Sequence, residues 1–273
     1  MKVVLITGVL GGMGRATAKL LLDSGYTVIG LDLAEFCDLP IDYYKTNLTD
    51  AESIEKTFNL ISNCYKQIDA IINFAGIYRM GSLVEMTEKE FTSIFDINLF
   101  SIYRVNKTFL PLVKKGGNII ITSSELAPLD PLPFTGIYAI TKSTVEKYAY
   151  SLKMELQLLG INVSVIRPGA VKTKLLNDSI NSMEELHKKT VLYKNNVKNF
   201  SNIVNSVEAK NIEPEKISKL VKKILNKKNP KFVYNINRNI LLRILSFLPK
   251  FVQLKIIRKI LQKGINWFLL FLK

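Results

Sequence analysis

Apolar and polar positions follow two alternating periods along the first two-thirds of the chain. Residues 3–7 form a short β-branched run that stops at glycines. From 13 to 23 the apolar residues return at helical spacing, and Gly25 closes that helix. Residues 27–31 form a second buried run. The pattern then repeats as helix 51–65, strand 70–73, helix 97–113, strand 118–122, helix 138–159 and strand 162–166. Gly116, Gly117 and Gly160 fall where helices should end before strands. Strands alternating with helices of this length predict an α/β fold, a doubly wound parallel sheet covered on both faces.

After Pro168 the pattern changes. Residues 174–211 are polar and weakly periodic, which suits a flap or a pair of short helices over a site. Residues 213–226 read as an amphipathic helix, with Ile217, Leu220, Val221 and Ile224 on one face. Residues 231–234 suit one last strand. From 239 to 272 the chain is strongly apolar but studded with Arg and Lys, with breaks at Pro249 and Gly264. The expected organisation is a domain over 1–235, with its flap at about 174–213, and a basic amphipathic C-terminal helical extension over 236–273.

Composition narrows the chemistry. Of 273 residues, 48% are hydrophobic and 22% charged, which excludes disorder. No uninterrupted apolar stretch reaches the length of a spanning helix, and MKVVLITG reads as a strand, not as a leader. Two cysteines, Cys37 and Cys64, exclude a disulfide scaffold and a cysteine zinc cluster. They read as reduced thiols, so a cytoplasmic location is expected. The single His187 excludes paired-His metal motifs, and no metal site is expected. Proton transfer must then rest on Tyr, Lys, Asp or Glu, with His187 the one exception.

The turn Thr7-Gly8-Val9-Leu10-Gly11-Gly12-Met13-Gly14 joins the first strand to the first helix. Glycines there allow a tight turn and close approach of backbone amides to a pyrophosphate, and the helix N-terminus favours the anion. Asp32 lies 18 residues past Gly14, at the end of the second strand. A carboxylate there accepts hydrogen bonds from a ribose 2′-hydroxyl and repels a 2′-phosphate. The expected cofactor is NAD(H), with NADP(H) disfavoured.

Tyr138 and Lys142 stand four residues apart on one helix face. An ammonium beside a phenol favours phenolate and should lower the tyrosine pKa from about 10 toward neutral. With these pieces in order, the sequence resembles the short-chain dehydrogenase/reductase family, in its ordinary single-domain form, firmly over residues 1–175. The glycine turn matches that family's cofactor motif. Asn73-Phe74-Ala75-Gly76 is similar to its Asn-Asn-Ala-Gly segment, with Phe in the second place. Asn47-Leu48-Thr49-Asp50 is similar to its segment near the adenine, with Asn47 replacing an Asp. Asn98 matches the active-site Asn. Ser124, 14 positions before Tyr138, falls at the catalytic Ser, and Ser123 competes for that role. Arg167-Pro168-Gly169-Ala170-Val171-Lys172-Thr173 matches the Pro-Gly segment beside the nicotinamide.

The resemblance implies a Rossmann-type catalytic domain and hydride transfer between nicotinamide and a carbonyl or alcohol carbon. It assigns catalysis to Asn98, Ser124, Tyr138 and Lys142. Tyr138 exchanges the proton, Lys142 lowers its pKa and holds the nicotinamide ribose, Ser124 orients the substrate oxygen, and Asn98 holds a water that links Lys142 to solvent. It assigns cofactor contacts to Thr7, Gly8, Gly11, Gly12, Met13, Gly14, Asp32, Asn47, Leu48, Asn73, Ala75, Gly76, Tyr138, Lys142, Pro168, Gly169, Val171 and Thr173. Asn98 also has a bland reading, a buried helix cap, and His187 reads as a surface residue of the flap. The three-glycine spacing Gly8, Gly11, Gly14 also fits the extended relatives that act on nucleotide sugars, but the neighbouring motifs favour the smaller type. A non-enzymatic dinucleotide sensor is the alternative function, and retention of Ser124, Tyr138 and Lys142 together argues against it.

Charge sets the expected partners. Residues 1–187 hold 18 Lys+Arg against 20 Asp+Glu, and residues 188–273 hold 20 against 3. In the tail, Val252, Ile256, Ile257, Ile260 and Leu261 make one helical face, with Lys255, Arg258 and Lys259 off it. Such a helix suits an anionic membrane interface, and Trp267 in the terminal apolar run suits the headgroup level. The expected substrate is an apolar alcohol or ketone, steroid-, retinoid- or lipid-like. The expected location is the cytoplasm, at the inner face of a membrane. The competing reading packs the tail over the protein's own site or a subunit interface. Nucleic acid is not expected, because no module or stacking array accompanies the basic charge. The family resemblance implies a homodimer or homotetramer.

Overall fold

The computed structural model describes residues 1–208 and 210–264, so the expectations for Trp267 and the terminal apolar run lie outside the described residues. Seven strands form one parallel sheet: β1 (Val3–Thr7), β2 (Thr27–Asp32), β3 (Asp42–Lys45), β4 (Ile68–Asn73), β5 (Val113–Thr122), β6 (Asn162–Pro168) and β7 (Val233–Ile236). Their order is β3-β2-β1-β4-β5-β6-β7. The winding reverses between β1 and β4, which opens a crevice at the carboxyl ends of the central strands. This is the doubly wound sheet that the strand–helix alternation predicts.

Helices cover both faces: α1 (Gly12–Leu22), α2 (Ala51–Cys64), α3 (Glu88–Phe95), α4 (Ser101–Phe109), α5 (Gly136–Leu156), α6 (Lys174–Lys189), α7 (Lys194–Glu208), α8 (Glu215–Leu225), α9 (Ile240–Phe247) and α10 (Lys250–Lys263). On one face Leu5, Ile71, Ile119 and Val163 meet Ile61, Phe109 and Val145 of α2, α4 and α5. On the other, Ile6, Ile72 and Ile120 meet Leu21, Val221 and Ile224 of α1 and α8. The central strands are buried on both sides, which is why they read as continuous apolar runs.

Two elements differ from expectation. β3 is an added edge strand whose sequence, Asp-Tyr-Tyr-Lys, is only half-buried and shows no apolar run. The helix expected over 97–113 instead begins at Glu88. Thr87 and Glu90 form a capping box there, each side chain bonding the other's backbone. At Asp96–Phe100 the helix widens into a π turn before α4. That turn carries Asn98 inward.

A third core lies above the carboxyl edge of the sheet. Residues 174–208 are a pair of helices, α6 and α7, and α9 and α10 pack on them through Leu242, Leu245, Ile260 and Leu261. Asn199 Nδ2 donates to Leu261 O at 2.8 Å, and Gln253 Nε2 to Asp130 Oδ2 at 2.9 Å. This corrects the expectation for the tail face. Ile260 and Leu261 are buried against protein, and Val252, Ile256 and Ile257 are half-buried. A different stripe faces outward: Ile240, Ile244, Phe247, Phe251 and Leu254. No described helix is long and apolar enough to cross a membrane.

Candidate active site

The site is assembled from loops that leave the carboxyl ends of β1, β2, β4, β5 and β6. Gly8 follows β1 with φ +64°, where a Cβ would meet Ala75 N at 2.8 Å. A Cβ on Gly14 would lie 2.1 Å from Gly8 O, so the turn folds back on its helix only with glycine at both positions. Thr7 Oγ1 accepts the Ala75 N–H at 3.3 Å, which joins this turn to the segment after β4. Helix α1 has no side-chain cap and no acid in its first turn. Its first N–H groups and dipole are left for an anion. A Cβ on Gly12 would fall 2.6 Å from Thr173 Cγ2, so the start of α1 touches the loop after β6.

Asp32 lies beside the glycine turn. Its Oδ2 accepts the Leu10 N–H at 2.9 Å and its Oδ1 the Leu33 N–H at 2.8 Å. Each oxygen keeps a lone pair for a ribose hydroxyl. The uncapped α1, the Gly12–Thr173 approach and this carboxylate together fit a dinucleotide. Asn47 and Leu48 lie farther out, after edge strand β3. Asn47 Oδ1 accepts from Thr49 N–H at 3.1 Å and closes a turn before α2, and Leu48 packs on the core.

Tyr138 and Lys142 sit one turn apart on α5, only 6% and 5% exposed. Lys142 Nζ donates to Thr122 O at 3.1 Å and lies 5.7 Å from the Tyr138 ring centroid. The Ser124 hydroxyl faces the Tyr138 phenol, whose pKa it lowers, and accepts the Leu126 N–H at 3.2 Å. The Ser123 hydroxyl turns away, donating to Glu146 Oε1 at 2.8 Å, and Arg167 Nε reaches the same carboxylate at 2.7 Å. Of the two serines, Ser124 is the one that reaches Tyr138. Asn98 Oδ1 accepts the Ile77 N–H at 2.8 Å and its Nδ2 donates to Ile77 O at 3.0 Å, which pins the segment after Gly76. A Cβ on Gly76 would lie 3.1 Å from Asn98 Oδ1 and 3.7 Å from Lys142 Nζ.

The electrostatics depart from the expectation for Tyr138. Burial pushes its phenol up to about 12, opposed only by the Ser124 hydrogen bond. Burial also pushes the Lys142 ammonium down to about 8. Burial governs both shifts, and the through-space help that four-residue spacing suggested figures in neither.

Above these groups opens a cleft of about 140 Å³. Met13, Gly76, Ser124, Tyr138, Lys142, Pro168, Gly169, Val171 and Thr173 line it, as do Phe74, Ile77, Tyr78, Glu125, Leu126, Leu175 and Leu176. Thr7, Gly8, Gly11, Gly12, Gly14, Asp32, Ala75 and Asn98 stand behind or beside that wall. Asn73 is buried and donates to Asn106 Oδ1 at 3.0 Å, away from it. Tyr78, whose ring centroid lies 4.5 Å from that of Tyr138, and Glu125 escaped the sequence reading because neither belongs to a periodic element or a motif. Leu175 and Leu176 open α6, where the polar text hid its inner face. His187 is exposed on α6. Among the described residues no group of three or more His, Cys, Asp or Glu could hold a metal.

Comparison with known proteins gives three kinds of likeness. The sequence profile of short chain dehydrogenases matches residues 2–185. A 3-oxoacyl-[acyl-carrier-protein] reductase of Vibrio harveyi is 35% identical over 190 residues, covering 65% of this chain and 78% of that protein. A 3-ketodihydrosphingosine reductase of Bacteroides thetaiotaomicron is 27% identical over 233 residues, covering 85% of this chain and 86% of that protein. A short chain dehydrogenase family protein from Francisella tularensis shares the fold with a TM-score of 0.72 at 24% identity, over 86% of this chain and 97% of that one.

Proposed function

Because the chain belongs to the short-chain dehydrogenase family, we propose that it reduces the carbonyl of an apolar, acyl-chain-like ketone with NAD(H), Tyr138 acting as general acid. Members of the family are oxidoreductases of CH–OH and keto groups that bind a nicotinamide dinucleotide. When bound, that group supplies the hydride. The chain supplies position and a proton. One observation carries the reading: Tyr138, with Ser124 beside it and Lys142 one turn on, opens onto a cleft whose other walls are largely apolar. Ser124 orients the substrate oxygen against the Tyr138 hydroxyl. A phenol held near pKa 12 is protonated at neutral pH, the state a proton donor to a developing alkoxide requires. Lys142, near pKa 8, is still largely cationic at pH 7 and stabilises the phenolate as it forms. Asn98 fixes Ile77 and Gly76 beside Lys142, where a water can relay the proton.

Asp32 supports NAD over NADP, since its carboxylate would repel a 2′-phosphate. The two reductases named above act, by their names, on ketones of acyl and sphingoid chains, which supports a flexible chain over a steroid or retinoid ring. The grouping of Ser124, Tyr138 and Lys142 favours a catalyst over a dinucleotide sensor. A homo-oligomer is supported by exposed apolar side chains on α4 and α5: Tyr103, Tyr150 and Met154. Peripheral membrane contact is supported by the outward stripe on α9 and α10.

The test follows nicotinamide absorbance with NADH and NADPH side by side on long-chain and short polar ketones. Tyr138→Phe should lose roughly 10²- to 10⁴-fold in kcat with NADH affinity retained. Turnover that survives the substitution overturns the role of Tyr138. Turnover only with NADPH, or only on polar ketones, overturns the cofactor or the substrate reading.

A further inference from the structure

Ser123 competes with Ser124 in the sequence, yet its hydroxyl is spent behind the cleft. It donates to Glu146 Oε1 at 2.8 Å and lies 3.4 Å from Lys142 O. Tyr138, Lys142 and Glu146 follow one another at four-residue intervals, so they form one stripe along α5. Arg167 closes on the same carboxylate from the end of β6. Its Nε donates to Oε1 at 2.7 Å and its Nη2 donates to Oε2. The Arg167 and Glu146 side chains are only 18% and 13% exposed, and neither lines the cleft.

Three elements meet at this pair, and each carries a wall or a reacting group of the site. Ser124 follows Ser123 at the end of β5. Tyr138 and Lys142 precede Glu146 on α5. Pro168 and Gly169 follow Arg167 after β6. Backbone pairing joins the two strands, with the Ser123 N–H donating to Ile166 O at 2.9 Å. The helix has no such ladder to the sheet. Its described polar ties to the strands from this stripe are the Lys142 bond to Thr122 O and the contacts of Ser123 and Arg167. A guanidinium fork on a carboxylate fixes angle as well as distance. Stability does not account for the pair, because apolar residues of similar volume often replace a buried ion pair at no cost.

We propose that Glu146 and Arg167 are positioning residues: their forked ion pair, joined by Ser123, holds α5 at the rotation where Tyr138 faces Ser124 and Lys142 reaches Thr122 O. This rests on the reductase reading above and adds two residues that act through Tyr138 and Lys142 without touching the substrate.

The experiment compares the full-length wild type, Arg167→Lys, and a double variant with Glu146→Leu and Arg167→Met. Arg167→Lys keeps the charge and loses the fork, and the double variant keeps an apolar bulk and loses both charges. Reduction of decan-3-one is followed with NADH and with NADPH, and NADH affinity and Tm are measured by calorimetry. The Lys142 amine is titrated by carbon-13 NMR, its Cε signal assigned with Lys142→Met. Misplacement of reacting groups by about 1 Å costs up to roughly 100-fold, so both variants should lose about 10- to 100-fold in kcat, with KM and NADH affinity within about threefold of wild type. The double variant should keep its Tm while kcat falls, a split that a purely structural pair would not give. In both variants the Lys142 titration should move up from about 8 toward the ordinary 10.5, as a displaced ammonium regains water. A double variant that melts with the wild type and keeps its kcat overturns the proposal. So does a kcat that falls only in proportion to the folded fraction. If the double variant does not fold, Arg167→Lys decides by the same kcat and titration. If the wild type reduces decan-3-one with neither cofactor, the reductase reading fails. The titration then still decides, and a Lys142 signal unmoved in both variants overturns the positioning role.

Discussion

Lys142 is 5% exposed and its ammonium makes one described hydrogen bond, to Thr122 O. Its pKa in the folded chain is near 8, below the ordinary 10.5, so burial penalises the charged form. Between pH 8 and 10.5 the unfolded chain binds more protons at this position, and stability therefore rises with pH across that window. Tyr138 acts with the opposite sign. It keeps its proton to about 12, so its contribution is lost as pH climbs above 10. At neutral pH Lys142, and not Tyr138, thus stores part of the cost of the site. Lys142→Met should raise stability at pH 7 by about 1–3 kcal/mol, a few degrees in Tm, while turnover collapses. Melting curves at pH 7 and pH 10 check this. The gain should shrink at the higher pH, where wild-type Lys142 is already neutral. A variant less stable than wild type at pH 7 would mean that the Thr122 bond outweighs the buried charge.

At the scale of elements, the loop between β5 and α5 is where the tail meets the site. Asp130 gathers Ser246 Oγ at 3.2 Å, Gln253 Nε2 at 2.9 Å and the Lys250 ammonium around one carboxylate. The Lys250 ammonium holds Asp130 below the usual carboxylate range. Its contribution is present above pH 3.8 and is lost as pH falls through the folded value. Asp130→Ala should cost about 1–3 kcal/mol in urea unfolding at pH 7 and less near pH 3. It should also raise KM for a long-chain ketone more than it lowers kcat, because α9 and α10 brace α6, whose Leu175 and Leu176 line the cleft, without touching the reacting atoms. These ties join residues 116 to 123 positions apart, and nothing in the local pattern announces them. The same limit separates what the sequence disclosed from what it hid. β1, β2, β4, β5 and β6 are continuous apolar runs because both sheet faces are covered. β3 pairs with one neighbour and is half-exposed, so Tyr43 and Tyr44 between charges left no period to read. Asn98 was legible as a motif residue, but the π turn that carries it inward depends on packing between α3 and α4. The apolar residues of α10 were legible as a face. Which of them meet α7 depends on α7, whose own inner face, Val197, Phe200 and Ile203, is spaced among lysines and asparagines.

Over the whole molecule, the C-terminal third combines the excess of basic charge with an exposed apolar stripe. The last 86 residues carry 20 Lys+Arg against 3 Asp+Glu, while residues 1–187 are close to neutral. The outward stripe Ile240, Ile244, Phe247, Phe251 and Leu254 runs at helical spacing from α9 across Pro249 into α10, with Phe247 81% and Leu254 71% exposed. Arg243, Lys250, Lys255 and Arg258 interleave with it in sequence. Packing has taken the face first expected to enter lipid, and this second stripe remains. Shallow burial of three large side chains contributes several kcal/mol at about 25 cal/mol per Å², and each nearby cation adds about 1 kcal/mol on an anionic surface. Either contribution alone gives weak, reversible binding, and together they should hold the protein at a negatively charged interface. Co-sedimentation with phosphatidylserine-containing vesicles should retain the full-length protein, and neutral phosphatidylcholine vesicles should not. Raising the salt should release part of it, since only the charge contribution is screened. A Phe247→Ser, Phe251→Ser, Leu254→Ser variant, whose substituted side chains are exposed, should keep its Tm and lose retention on the anionic vesicles. Retention unchanged in that variant would assign the contact to charge alone. No retention of the wild type on anionic vesicles would leave the stripe as a protein-facing surface, with the packed tail serving only to brace α6 and α7.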